Sequence, residues 1–226
     1  MEIESFVRDS LFAAGIVVAS GVKVAPSPPE LVRLIDELVR LRSREEFPPA
    51  PVKESVRKLL KRGGFKPSGR NKPAGEYLAQ AARENRFPRI NNLVDVNNLF
   101  SLETGLPASL LDLRAFKARA CLRTGKPGEK YVFNSAGQEI DLEGLICVCG
   151  EGNSPEGIPL GNPVKDSMAG KLTADTVSVL GVVYAATDCE AGRGMAGHVA
   201  RFARLLEDFG AAAEISTKVI GKAELL

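Results

Sequence analysis

Asn91, Asp95 and Asn98 recur at i, i+4 and i+7 in the stretch Pro88 to Asp112, a spacing that lines three polar side chains along one stripe of a helix. The rest of that helix is apolar, with Ile90, Leu93, Val94, Val96 and Phe100 on one face and Leu99 and Leu102 on the other. A helix apolar on most sides is covered by protein, and asparagine is a mediocre helix former. Buried polar groups need hydrogen-bond partners. The stripe therefore braces neighbouring loops, faces solvent, or meets a polar ligand in a pocket.

Other chemistry is limited by what the chain contains. His198 is the single histidine, so every Ser-His-Asp, Cys-His or His-metal mechanism would have to pass through it. Gly150-Glu-Gly152 followed by Gly157 matches neither the phosphate-loop nor the dinucleotide spacing. Cys147 and Cys149 alternate along a strand-like run and read as core packing on one face. Four cysteines, unevenly spaced, do not make a disulfide framework, and a C-x-C pair with one histidine is a poor zinc site. Neither a metal nor a cofactor is expected.

The formal net charge of +2 hides an asymmetry. Lys53 to Arg89 carries 11 basic and 3 acidic residues, whereas the segments on either side are net acidic. Lys58, Lys61, Arg62, Lys66, Arg70 and Lys72 follow one another across a helix and the loop after it. They make either a phosphate-binding surface or a solvated helix face with a polar loop. No apolar run approaches the roughly 20 residues of a membrane span, and the first stretch is acidic where a signal peptide would be basic. A reduced, cytoplasmic protein away from membranes is the expectation.

The elements that must hold these residues follow from periodicity and punctuation. Gly15 to Val24 reads as a strand. Ser27-Pro-Pro-Glu30 reads as a capping box opening a helix with Leu31, Leu34, Ile35, Leu38 and Leu41 inside. A second helix runs from about Val52 to Gly63-Gly64, and Pro73 opens a third that ends near Arg86. Gly105 and Pro107 stop the helix of the polar stripe. Beyond Ala115 the pattern turns to short strands at Lys117 to Arg123, Tyr131 to Phe133, Ile140 to Leu142 and Leu145 to Cys149. Gly150 to Ala174 is a loop long enough to have a function. Val177 to Ala186 is too apolar for an edge strand, and a closing helix spans about Met195 to Phe209. These elements predict an α+β fold with a mixed β-sheet core flanked by helices. The whole chain 1–226 reads as one domain: an N-terminal α/β segment (1–72), a core motif region (73–186) and a C-terminal helix and strand (187–226).

The stretch Pro88 to Asp112 resembles the segment R-P-I-N-N-x-V-D-I-T-N-Y-V-x-x-E-x-G-Q-P-x-H-A-F-D of the editing and tRNA-binding domain in the bacterial phenylalanyl-tRNA synthetase beta subunit. Free-standing proteins of that domain family are more similar still. A basic helix and Lys72-Pro-Ala-Gly-Glu76 precede the motif as in the family, and Thr173-Ala-Asp-Thr176 ends the later loop before an apolar strand. The resemblance covers roughly Val52 to Ala186. Residue by residue, the family's pocket asparagine falls on Asn98, its histidine falls on Ser109, and its acidic residue falls near Val182.

This resemblance implies a layered fold like that editing domain, and recognition of tRNA or aminoacyl-tRNA, with hydrolysis of mischarged species in trans as the sharper version. An aminoacyl ester is already activated, so a site need only hold the amino acid, place a water and supply an oxyanion donor. In that reading Asn98, with Asn91 and Asp95 beside it, holds the substrate. Ser109 orients substrate or water, and backbone amides between Gly150 and Gly170 stabilise the oxyanion. Two competing readings stand beside it. One is a non-catalytic RNA-binding module using the six basic side chains above. The other is a sensor that binds a free amino acid.

Overall fold

The computed structural model describes residues 1–152 and 156–221. The short β1 (Glu2–Ser5) is followed by β2 (Phe12–Ser20), a small and β-branched run whose residues are buried from Phe12 through Val17. Four helices come next: α1 (Pro29–Arg42), α2 (Ala50–Arg62), α3 (Ala74–Arg83) and α4 (Asn92–Thr104). The β-rich part holds β3 (Ala108–Asp112), β4 (Arg119–Thr124), β5 (Lys130–Val132), β6 (Glu139–Asp141), β7 (Ile146–Gly150), β8 (Ile158–Gly161) and β9 (Ser178–Ala186). It is closed by the one-turn α5 (Glu190–Arg193), by α6 (Met195–Gly210) and by β10 (Glu214–Gly221).

The strands form two four-stranded sheets and a ribbon. The first sheet, in the order β10-β2-β9-β3, is antiparallel throughout, with the apolar β9 inside it as its composition predicts and β3 at one edge. The second, β1-β4-β7-β8, is mixed because β1 runs parallel to β4. Phe12, Ile16, Leu111, Leu180, Val182 and Tyr184 of the first sheet pack against Ala120, Leu122, Ile146, Val148 and Leu160 of the second. On the other face of the first sheet, Ala13, Val17, Leu110 and Val183 meet Leu93, Val96, Phe100, Val199 and Phe202 of α4 and α6. The result is an α+β arrangement with a helix layer, a sheet and a second sheet. A mixed sheet and flanking helices are present as expected, the helices on one face of the first sheet and the second sheet on the other.

Local chemistry explains the elements that carry the motif. The Asn91 side chain accepts a hydrogen bond from the Val94 amide at 3.0 Å and so caps α4. Gly105 ends it in the left-handed conformation, φ 76°. The helix thus begins after Ile90, which is left 62% exposed instead of joining the apolar face. Phe100 stacks on Phe202 of α6 with ring centroids 4.7 Å apart. A Cβ on Gly15 would come within 2.4 Å of Val199 Cγ2, so the missing side chain in β2 lets α6 approach the sheet.

Three local expectations need correction. No capping box forms at Ser27: Pro28 takes the cap position without a side-chain bond, and the Ser27 hydroxyl donates instead to Asp95 Oδ2 at 2.6 Å. A buried carboxylate is the stronger acceptor. The loop Gly150 to Ala174 contains β8, which edges the second sheet, and the turn Met168–Gly170; residues 153–155 lie outside the described residues. The strand β3, within the motif itself, had no periodicity to reveal it because all five of its residues are buried. Cys147 and Cys149 are core residues of β7, and burial pushes the Cys147 thiol up to about 12.

Candidate functional site

A cavity of about 530 Å³ opens where α4, the edge strand β3 and the loop after β8 meet. From α4 come Asn91, Val94, Asn97 and Asn98, from β3 Ala108, Leu110 and Leu111, and from the loop Asn162, Asp166 and Ser167. Tyr77 of α3 and Phe133 complete the walls. Tyr77, Phe133, Val164 and Lys165 also border a second, wider cleft of about 810 Å³, lined by Lys72, Gln80, Arg86 and Glu139. A hollow with apolar walls, a few amides, the Asp166 carboxyl and the side chains of Lys165 and Lys171 thus adjoins a cleft that also carries Lys72 and Arg86.

The polar stripe divides between bracing and lining. Asp95 is 2% exposed, accepting from Ser27 Oγ at 2.6 Å and from the Ile90 amide at 2.9 Å. It braces the segments before α1 and α4 and does not border the cavity. Asn91 borders it, but its side-chain oxygen is occupied by the cap. Asn98 is half-buried and lines the cavity, and its side chain has no hydrogen-bond partner among the described residues. Its neighbour Asn97, which the three-residue stripe did not include, donates to the Ala108 carbonyl at 3.2 Å and leaves its buried Oδ1 unpaired.

Ser109 lies below the cavity and not in its wall. It is fully buried on the face of β3 opposite Ala108 and Leu110, its hydroxyl donating to Asp166 Oδ1 at 2.6 Å and standing 3.1 Å from the Tyr184 hydroxyl. Val182, where the family's acidic residue was expected, faces Ser109 across the β3–β9 pair but is packed in the core between the sheets. The carboxyl that meets position 109 comes instead from the loop after β8. That loop is tightly built: Asn162 Oδ1 accepts from the Val164 and Lys165 amides at 2.8 and 3.0 Å, and Tyr131 donates to the Lys165 carbonyl at 2.6 Å. The Ser167 amide bonds the Leu160 carbonyl at 2.9 Å. The amides expected to form an oxyanion hole are thereby used within the loop at Val164, Lys165, Ser167, Ala169 and Gly170. The Asn98 amide is an unpartnered donor in the cavity wall, which Lys165 and Lys171 also line.

Burial pushes the Asp166 carboxyl up to about 7, with the Ser109 hydrogen bond acting in the opposite direction. Among the described residues no basic side chain forms an ion pair with it. The only signals for Asp166 in the sequence were the length of its loop and, in the opposite strand, Tyr184 as a polar group in an apolar run. His198 is half-buried on α6 beside the Phe100 ring, where burial lowers its pKa, and it does not border the cavity.

The other motif residues hold the frame. Glu76 accepts both Nε and Nη2 of Arg57 at 2.6 Å and ties α3 to α2. Thr176 donates to Asp112 Oδ2 at 2.6 Å and accepts from the Thr173 amide at 2.9 Å, so the Thr-x-x-Thr run clasps the end of β3. The basic segment is partly neutralised by the fold: Lys58 pairs with Asp188 at 3.2 Å and Arg62 with Asp9 at 2.9 Å. Lys61 and Lys66 are exposed and have no acidic partner among the described residues. Lys72 lines the wider cleft and donates to Gln80 at 2.8 Å. The Arg70 side chain lies outside the described residues.

An N-terminal fragment of the phenylalanyl-tRNA synthetase beta subunit from Pyrococcus horikoshii is similar in structure over 96% of this chain, at 11% identity and a TM-score of 0.43. The chain spans 50% of that fragment's length. No curated protein matches the sequence. Residues 64–190, more than half of the chain and the whole of the cavity wall, match the model of the B3/4 domain. The chain belongs to the B3/4 domain family, a domain found in the phenylalanyl-tRNA synthetase beta subunit.

Proposed function

We propose that this protein binds the aminoacyl end of tRNA in the cytoplasm and hydrolyses the ester of wrongly charged species in trans. One observation carries the reading: a cavity with apolar walls, the free amide of Asn98 and the Asp166 carboxyl opens beside a cleft bearing Lys72, Arg86 and Lys165. The hollow fits an amino-acid side chain and its carbonyl, and the cations suit the phosphates of the RNA end. Membership of a domain family found in a tRNA synthetase subunit supports the same substrate class. No nucleophilic side chain is required, because water can attack the activated ester directly.

The test is tRNA binding at two salt concentrations, followed in the same samples by release of amino acid from correctly and wrongly charged tRNAs. Salt-sensitive binding with release from one wrongly charged species is the expected result. Absence of both binding and release rules the reading out. The pairing of Lys58 and Arg62 with Asp188 and Asp9 favours a second reading, a free-amino-acid sensor with no RNA affinity. Thermal stabilisation by amino acids alone, with no tRNA binding, would select it.

A further inference from the structure

We propose that Asp166 is the general base of this hydrolysis, held in place by the buried Ser109–Tyr184 pair; the assignment rests on the deacylase reading above. Asp166 borders the same cavity as the unpartnered Asn98 amide. Its Oδ1 is anchored by Ser109 at 2.6 Å, and Ser109 is in turn fixed in a fully buried position against Tyr184. A Cβ on Gly161 would stand 2.7 Å from Asp166 Oδ1 and 3.2 Å from Ser109 Oγ, so the carboxyl sits in a fitted recess and not on a loose loop. The neighbouring acids Asp112 and Glu76 each hold an arginine, whereas Asp166 holds none among the described residues.

A carboxyl that burial has moved to about 7 is half-ionised at neutral pH and can both take and return a proton. In the step it serves, the Asp166 carboxylate removes a proton from water as the water oxygen bonds to the ester carbonyl carbon. The displaced electron pair goes to the carbonyl oxygen, towards which the Asn98 amide donates. When the intermediate collapses, the bond from carbon to the ribose oxygen breaks and Asp166 returns its proton to that oxygen. Free amino acid and uncharged tRNA leave, and no other reactant is consumed. Ser109 is a positioning residue: it contacts Asp166 and Tyr184 and does not line the cavity.

The experiment uses tRNAs carrying radiolabelled tyrosine, phenylalanine, alanine or serine, with single-turnover release measured from pH 5 to 9 for the wild type, Asp166→Asn and Ser109→Ala. tRNA binding by the same three proteins is measured alongside. The wild-type rate should rise with pH and level off above about 7. Asp166→Asn should release amino acid about 10²- to 10⁴-fold more slowly with tRNA affinity unchanged. Ser109→Ala should keep activity at high pH but move the rising limb to higher pH, because the lost hydroxyl favoured the ionised carboxyl. If Asp166→Asn releases at the wild-type rate, the base assignment fails while deacylation stands. If binding and release fall together, Asp166 holds substrate and is not the base. If the wild type releases none of the four, the deacylase reading and the base both fall.

Discussion

Two carboxylates lie at the two ends of β3 in opposite environments. At the Asp112 end, burial works to raise the pKa, but hydrogen bonds from Arg114 and Thr176 outweigh it and hold the group below the usual carboxylate range. At the Ser109 end, Asp166 receives the Ser109 hydroxyl and the Asn162 backbone amide but forms no ion pair among the described residues, and burial prevails, lifting it to about 7. Asp112 is the last residue of the recognisable motif, yet its chemistry is structural: it is clasped on both sides. Asp166 lies far outside that motif and keeps a proton in the physiological range. A carboxylate saturated with donors serves the frame, and one that is desolvated but unpaired is available for work.

The recess around Asp166 is the most sensitive place to break this contrast. Gly161→Ala should cost about 3 kcal/mol, because its new Cβ would meet Asp166 Oδ1 at 2.7 Å and Leu111 Cδ1 at 2.8 Å in a packed interior. Urea unfolding measures it, and an unchanged midpoint would show that the loop can move away. At the other end, Asp112→Ala leaves the buried Thr176 hydroxyl without its acceptor and should cost about 2 kcal/mol. It should leave the pH midpoint of amino-acid release where the wild type has it.

The two carboxylates also give stability opposite dependences on pH. The folded-state pKa of Asp166 lies above its ordinary value of 3.8, so the native state binds the proton more tightly and loses stability as pH rises from about 4 to about 7. Asp166→Asn removes that loss and should stabilise the protein by roughly 2 kcal/mol at pH 8 and by nothing at pH 4. Thermal melts at the two pH values check it; equal shifts at both would mean that burial does not disfavour the charge. Asp112 has the opposite sign, contributing stability at neutral pH that is lost in acid. The smallest effect is expected on the surface: Lys61→Ala with Lys66→Ala should weaken tRNA binding about fivefold and shallow its salt dependence. Lys58→Ala with Arg62→Ala should do less, because both side chains already face carboxylates.

Much of the helical and strand content could be read along the chain. The end of α4 followed from Gly105, whereas its start did not, since Asn91 caps the helix and leaves Ile90 outside it; the interior position of β9 followed from its unbroken apolar run. Asn98 was identified from its place in the motif, and the cavity does contain it. The capping box at Ser27 failed because a more distant partner, Asp95, outcompeted the local amides. The short strands β3 and β8 escaped because they carry neither a two-residue alternation nor flanking turn signals strong enough to separate them from loop.

Residue types, spacing and local punctuation were enough for the helices, the α+β class and the polar stripe, since caps and periodicity act within a few residues. Which carboxyl meets Ser109 was decided only when two sheets packed face to face and brought residues 57 positions apart within 2.6 Å. The same packing half-buried Asp166 with the Ser109 hydroxyl on its carboxyl, and so set its proton affinity. Desolvation depends on everything that surrounds a group in space, and no local pattern along the chain encodes that.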